Sequence, residues 1–112
     1  MSKRDVRLFI QDIKESIEAI FEYMKDENLE SFSNDRKTYS AVIREFEIIG
    51  EATKHLPEEL ISKYTEVGWR DIKDFRNLLI HEYFGVDFEI VYNTIENDLP
   101  LLYQVIQKME QC

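Results

Sequence analysis

The chain has 112 residues and a net charge of −9, with 23 acidic and 14 basic residues. This length supports one hydrophobic core but is too short for two ordinary domains, so we predict a single domain over residues 1–112. Hydrophobic residues make up 44% and charged residues 33%, which excludes a disordered or fibrous chain and favours a helix-rich globular protein. The acidic surplus disfavours non-specific attachment to nucleic acid or anionic membranes but leaves room for a small basic site.

The single cysteine, Cys112, excludes an intramolecular disulfide and fits a reducing compartment. No paired Cys/His spacing predicts a zinc site, so we expect no metal and no cofactor. The N-terminal segment reaches Asp5 and Asp12 before any long apolar run, and it therefore predicts neither a signal peptide nor a membrane span. We expect a cytoplasmic protein without membrane association.

Helical periodicity of apolar residues predicts a first amphipathic helix from Asp5 to Lys25 and a second from about Asp35 to His55. Ser33 and Asn34 are candidate caps in the polar stretch between the two. Gly50 lies inside the second helix, where glycine costs about 1 kcal/mol relative to alanine. We predict that it allows close approach of another helix; the alternative is that it borders a ligand.

Pro57 ends the second helix and suits the first turn of a short third helix in PEELISKYTE. A fourth helix is predicted from Trp69 to about Phe84, closed by Gly85. Asp87 can cap a last helix through about Met109, in which Pro100 predicts a kink or break near residues 97–98. The predicted fold is all-α, an up-and-down bundle of four main helices plus a short connecting helix.

Arg76 falls on the apolar side of the fourth helix. A helical wheel places it in the arc formed by Ile72, Phe75, Leu79, Ile80 and Tyr83. A guanidinium on such a face needs an anionic partner, because it keeps its charge at any working pH. That partner is either a carboxylate of a neighbouring helix, with Glu45, Glu47 and Glu51 as candidates, or the phosphate of a ligand.

His81 and Asn77 lie on the polar side of the same helix, one turn apart. Arginine can stabilise a phosphate, histidine can move protons near neutral pH, and an amide can hydrogen-bond either group. These groups suffice to cleave RNA without a metal, through its ribose 2′-hydroxyl. Arg76 and His81 are about 140° apart on one helix, so a compact site would need two copies of the chain.

The stretch RNLLIHEY, residues 76–83, matches the R-x4-H-x-Y motif and resembles the HepT-like family of HEPN-domain toxins, which are encoded beside minimal nucleotidyltransferase (MntA-type) antitoxins. The similarity covers most of the chain from about Tyr39 onward, and the motif positions show no departure. Its other parts are FEIIGEATKHLPEEL, VGWRDIKDFRN, HEYFGVD and NDLPLLYQVI.

This resemblance implies an α-helical homodimer with the motif at a composite cleft and an RNA substrate. It implies that Arg76 and His81 are the ribonuclease residues and that Asn77 is a polar helper. It further implies that Tyr83 accepts adenylyl groups from ATP, transferred by the partner nucleotidyltransferase, so that added charge and bulk silence the toxin. For Tyr83 the simpler alternative is an aromatic residue at the edge of the core.

Two other functions stay open. The chain could be a non-catalytic helical partner or substrate-binding companion of a nucleotidyltransferase, an alternative motivated by the net charge of −9. It could also be an inert bundle in which Arg76 is purely structural, which requires that replacing Arg76 by methionine stabilises the protein at no loss of activity.

Overall fold

Seven α-helices and no strands make up the part of the chain that the structure, a computed structural model, describes: residues 3–81 and 86–111. The all-α prediction is confirmed, and the four predicted main helices correspond to α1, α3, α5 and the α6–α7 pair. The helices are α1 Lys3–Tyr23, α2 Leu29–Asn34, α3 Arg36–Lys54, α4 Glu58–Ile61, α5 Trp69–His81, α6 Phe88–Asn97 and α7 Leu99–Glu110.

The core lies between α1, α3 and α7, and α5 also packs on α3. The predicted stripe of α1 is buried, with Ile13, Ile17 and Ile20 completely shielded from solvent. Each fully buried aliphatic side chain contributes about 1.5–3 kcal/mol relative to an exposed one. Helix α3 is therefore held by packing on α1, and it also contacts α5 through Phe46 and Gly50.

Helix α2 was not predicted, because the polar stretch before the second helix reads as a connection. Asn28 begins α2 through a capping box with Ser31, in which each side chain hydrogen-bonds the backbone of the other. The one large apolar residue of α2, Phe32, is fully buried, and its ring lies 6.0 Å from Phe88 and 6.4 Å from Tyr92 of α6. A helix held by one buried residue shows no repeated apolar spacing in its sequence, so periodicity cannot predict it.

Several predicted helix ends shift by a few residues. Asp35, rather than Ser33 or Asn34, caps α3, and the short third helix spans only Glu58–Ile61. The predicted break near Pro100 is confirmed, because α6 ends at Asn97 and α7 begins at Leu99. The predicted end of the fourth helix at residues 84–85 lies outside the described residues.

Trp69 fixes the start of α5. Its indole Nε1 donates a hydrogen bond to the Tyr64 carbonyl oxygen at 3.0 Å, and its backbone N–H donates to Val67 at 3.0 Å. Leu79 is buried, while Ile72 and Phe75 are partly buried against the core. The orientation of α5, and with it the direction of its polar residues, follows from these contacts.

Gly50 is the point of closest approach between α3 and α5. A Cβ atom at this position would lie 2.5 Å from Cβ and 2.6 Å from Cγ of Arg76. The predicted close approach of another helix is therefore confirmed. The neighbour is the aliphatic stem of Arg76, so Gly50 also determines how near that arginine comes to α3.

None of the helices within the described residues is long and apolar enough to cross a membrane.

Replacing Gly50 by alanine is expected to destabilise the fold. The clash involves the part of Arg76 nearest its backbone, so α5 itself must move, and overpacking of this kind costs about 1–3 kcal/mol. That cost exceeds the gain of about 1 kcal/mol expected for alanine over glycine in a helix. Urea unfolding followed by circular dichroism should give a lower free energy of unfolding. Ser40→Ala, on the exposed side of α3, is the control and should be neutral or slightly stabilising. A Gly50→Ala variant that is more stable than wild type would contradict the close approach of the two helices.

Asp35 should make stability pH-dependent through the cap of α3. Its carboxylate accepts hydrogen bonds from the Thr38 hydroxyl at 2.6 Å and the Thr38 N–H at 3.2 Å, which lower the pKa of Asp35 below its ordinary value. A lowered folded-state pKa gives stability that is present above the unfolded-state pKa and lost as pH falls through the folded-state pKa.

Thermal melts of wild type and Asp35→Asn test this cap, because asparagine also caps helices but does not titrate. Wild type should have the higher Tm at pH 7, and the difference should shrink towards pH 3 and below. Asp74→Asn, which removes the same charge from the exposed side of α5, should not reproduce this pattern. A Tm difference that is constant from pH 7 to pH 3 would contradict the assignment.

Candidate active site

Arg76 pairs with Glu51 across the α3–α5 contact. Its Nη2 lies 3.0 Å from Glu51 Oε2, so the sequence-based expectation of a carboxylate partner is met by one of the three candidates. The other two are engaged elsewhere: Glu45 accepts a hydrogen bond from the Tyr23 hydroxyl at 3.1 Å, and Glu47 pairs with Arg44 at 3.4 Å. The hydrogen bond to Glu45 also raises the pKa of Tyr23.

This ion pair is not a buried one. The side chain of Arg76 is 28% exposed and that of Glu51 is 49% exposed. Ion pairs at this degree of exposure typically contribute only about 0–1 kcal/mol to stability, because water and salt screen them. The stability of the bundle therefore gives a weak reason for an arginine at this position.

Asn77 holds the guanidinium from a second side. Its Oδ1 accepts a hydrogen bond from Arg76 Nη1 at 3.2 Å. Sequence analysis placed Asn77 on the polar side of the helix with His81, whereas its half-buried side chain turns towards Arg76. The long arginine side chain makes this contact between adjacent residues possible.

The Nε atom of Arg76 is buried and has no hydrogen-bond partner among the described residues. A guanidinium carries five N–H groups: one on Nε and two on each Nη. Each Nη makes one hydrogen bond to the described residues, to Glu51 or to Asn77. The Nη1/Nη2 end of Arg76 thus has donor capacity that these two bonds do not use, whereas the Nε side is closed to solvent.

An open groove of about 480 Å³ runs past Arg76. Ile80, which the helical wheel places on the apolar side of α5, lines it and is 40% exposed instead of buried. The groove carries three carboxylates and two guanidinium groups, which gives it a formal charge of −1. Its lining residues are Phe9, Asp12, Arg44, Glu47, Ile48, Glu51, Ala52, Arg76 and Ile80.

His55, to which sequence analysis gave no role, joins this group through Glu51. Its Nε2 lies 3.5 Å from Glu51 Oε1, and its ring stacks on Phe9 of α1 with centroids 4.6 Å apart and planes inclined by 10°. Glu51 and His55 are four residues apart on α3, a spacing that brings side chains together on a helix. That spacing was the available signal, and it is too common to identify a site by itself.

His81 is the last residue of α5, and its side chain lies outside the described residues, as does all of Tyr83. The structure therefore brings together Arg76, Asn77 and Glu51 and leaves the predicted roles of His81 and Tyr83 as predictions. Among residues 3–81 and 86–111, no group of three histidine, cysteine or acidic side chains is placed to hold a metal ion.

Comparison with known proteins identifies the family. The sequence model described as Ribonuclease HepT-like matches residues 13–109. The chain is 41% identical to "Putative RNase MJ0127" of Methanocaldococcus jannaschii, over 98% of this chain and 94% of that protein. It is 39% identical to "Probable ribonuclease HepT" of Thermococcus cleftensis, over 97% and 99% of the two chains. It is 37% identical to "Putative RNase TTE0752" of Caldanaerobacter subterraneus, over 94% of each chain. No solved structure gives a significant match. The chain belongs to the HepT-like ribonuclease family, as its R-x4-H-x-Y motif indicated.

Proposed function

We propose that this protein is a toxin-type endoribonuclease that cleaves RNA without a metal ion, using Arg76 and His81 from two copies of the chain. The observation that carries the proposal is the state of Arg76: a partly exposed guanidinium, held by Glu51 and Asn77, with unused donor capacity beside an open groove. Membership of a ribonuclease family supplies the reaction class.

In the proposed reaction, His81 removes the proton from a ribose 2′-hydroxyl. The 2′-oxygen attacks the adjacent phosphorus, the bond to the 5′-oxygen breaks, and the leaving oxygen takes up a proton. Arg76 stabilises the negative charge that builds on the phosphorus oxygens, with planar geometry suited to a phosphate. Products are a 2′,3′-cyclic phosphate and a 5′-hydroxyl, and DNA is resistant because it lacks the attacking group.

A homodimer is part of the proposal, because α-helical geometry rotates His81 by about 140° from Arg76. Residues so far apart around one helix serve the same phosphate most simply when two chains meet. Exposed apolar residues on two sides of α5 support contacts between chains: Ile80, 40% exposed, lies one turn after Arg76, and Leu78, 45% exposed, lies about 160° from Ile80 around the helix.

A purified protein should cleave RNA in the presence of EDTA, and Arg76→Ala and His81→Ala should each lose activity by about 100-fold or more, as expected when a transition-state donor or base is removed. Cleavage of labelled RNA under single-turnover conditions measures this. Arg70→Ala is the matched control, because it removes an exposed arginine from the same helix. Undiminished cleavage in both site variants would identify a contaminating nuclease and reject the assignment.

We further propose that an MntA-like nucleotidyltransferase neutralises the toxin by transferring adenylyl groups from ATP to Tyr83. The support is the matching position of Tyr83 in the motif. Adenylylation would add negative charge and bulk two residues from His81, where both oppose the approach of an RNA phosphate. Neutralisation of the toxin by this enzyme fits a cytoplasmic location, where RNA, ATP and the nucleotidyltransferase are available together.

Co-expression with such a nucleotidyltransferase should increase the mass of the Tyr83-containing peptide by one or more adenylyl groups. Mass spectrometry of the digested protein measures the change, and ribonuclease assays of the same sample should show loss of cleavage. Tyr83→Phe should stay unmodified and active, whereas Tyr23→Phe should be modified like wild type. An unchanged peptide mass beside an active partner enzyme would contradict this mode of neutralisation.

One observation favours the non-catalytic alternative, namely the formal charge of −1 around the groove, which does not attract a polyanion at long range. A helical companion of a nucleotidyltransferase would bind that enzyme and leave RNA intact. Complete absence of RNA cleavage by a folded, unmodified protein would favour this function over the ribonuclease.

A further inference from the structure

We infer that Glu51 is a positioning residue for Arg76, and that His55 holds Glu51 in place, so that α3 orients the arginine on α5 for reaction with RNA. The inference rests on the proposed function, because it concerns how Arg76 is aligned. Neither Glu51 nor His55 lies in the R-x4-H-x-Y motif. The proposal comes from contacts between helices.

The first step is the series of contacts that ends at the guanidinium. Phe9 stacks on His55, His55 Nε2 lies 3.5 Å from one oxygen of Glu51, and the other oxygen lies 3.0 Å from Arg76 Nη2. The series crosses α1, α3 and α5. Each oxygen of the Glu51 carboxylate therefore lies within 3.5 Å of a nitrogen of a basic side chain.

The second step is the confinement of the arginine stem. Gly50 precedes Glu51, and an added Cβ at Gly50 would lie 2.5 Å from Arg76 Cβ, so the stem already lies against the α3 backbone. Glu51 then contacts the far end of the same side chain at Nη2. Two consecutive residues of α3 thus fix both ends of Arg76.

The third step is the direction in which the guanidinium can act. Nε is buried, so a phosphate cannot use the Nε/Nη2 side of the fork without a rearrangement. Glu51 on Nη2 and Asn77 on Nη1 hold the group from two sides and leave one N–H of each Nη without a hydrogen bond to the described residues. Each of these two N–H groups can donate a hydrogen bond to a phosphate oxygen.

The fourth step separates positioning from stability. Glu51 is 49% exposed, and exposed ion pairs add little to folding, so loss of the carboxylate should leave the bundle folded. Loss of orientation has a different consequence. A displacement of about 1 Å of a catalytic group can reduce the rate about 100-fold.

The test compares Glu51→Ala, Glu51→Gln and His55→Phe with wild type. Glu51→Ala should lower kcat for RNA cleavage about 10- to 100-fold with little change in Tm or in KM. Glu51→Gln keeps an oxygen that accepts the Nη2 hydrogen bond and should recover much of that loss. His55→Phe keeps an aromatic ring for stacking on Phe9 but loses the contact with Glu51, so its kcat should fall by less than that of Glu51→Ala.

Glu45→Ala is the matched control, because Glu45 is a glutamate of the same helix that lies outside the groove lining and accepts a hydrogen bond from the Tyr23 hydroxyl. It should leave kcat close to that of wild type. Equal losses in Glu45→Ala and Glu51→Ala would mean that the loss of any glutamate side chain from α3 lowers the rate and would overturn the inference. So would an unchanged kcat in Glu51→Ala, or a loss of activity that follows a loss of Tm.

A readout that does not depend on cleavage is the side-chain Nε–H signal of Arg76 in ¹⁵N NMR, assigned by its absence in Arg76→Ala. Buried and immobilised, this proton should exchange slowly in wild type and in Glu45→Ala and faster in Glu51→Ala. Unchanged exchange in Glu51→Ala would overturn positioning by Glu51. A wild-type protein that cuts no RNA would reject the proposed ribonuclease, while the NMR comparison would still decide whether Glu51 immobilises Arg76.

Discussion

The candidate site depends on one packing constraint, the contact between the backbone of α3 at Gly50 and the stem of Arg76 on α5. With no Cβ at Gly50, the two helices come close enough for the next residue, Glu51, to reach the guanidinium at 3.0 Å. A larger residue at position 50 would push α5 away and lengthen that contact. Helix packing and site electrostatics are therefore set by two consecutive residues of α3.

The constraint also explains why an arginine occupies an apolar face. Its methylene groups pack where a leucine or methionine would pack, while its charged end reaches the edge of the helix contact. The stem of the side chain lies against α3 at Gly50, and the side chain as a whole is 28% exposed. The two interpretations offered by the sequence, an ion pair with a carboxylate and a ligand contact, are therefore compatible, because Glu51 uses only part of the donor capacity of Arg76.

The parts of the fold that were predicted are those with repeated apolar residues or a strong local signal. The stripes of α1 and α3, the break beside Pro100 and the close approach at Gly50 all follow from spacing or from backbone chemistry. Helix α2 was missed because it depends on one buried residue, Phe32, whose partners on α6 are far away in sequence. Ile80 was placed on the apolar arc because a helical wheel shows direction but not how fully the neighbouring helices cover a side chain.

Sequence analysis named the residues of the candidate site but not their contacts, and the roles of those residues stay predictions. The motif named Arg76 and Asn77. Because a guanidinium on an apolar face needs an anionic partner, the candidate partners of Arg76 within the chain were narrowed to three glutamates. Selecting Glu51 required the relative rotation of α3 and α5, which arises from the packing of the whole bundle. His55 had no signal of its own, since its contact with Phe9 depends on α1.

The acidic character of the chain sets a final condition on how the proposed enzyme can work. A groove with a formal charge of −1 gives RNA no long-range attraction, and at physiological salt the field of distant surface charges decays over about 8 Å. What acts on a phosphate is then the set of groups within contact distance. In a site formed by two chains, each Arg76 brings its own Glu51, so the net charge of these two pairs stays near zero. Stabilisation of the transition state must come from the direction of the N–H groups rather than from excess positive charge, which makes the orientation of Arg76 by α3 the central structural requirement.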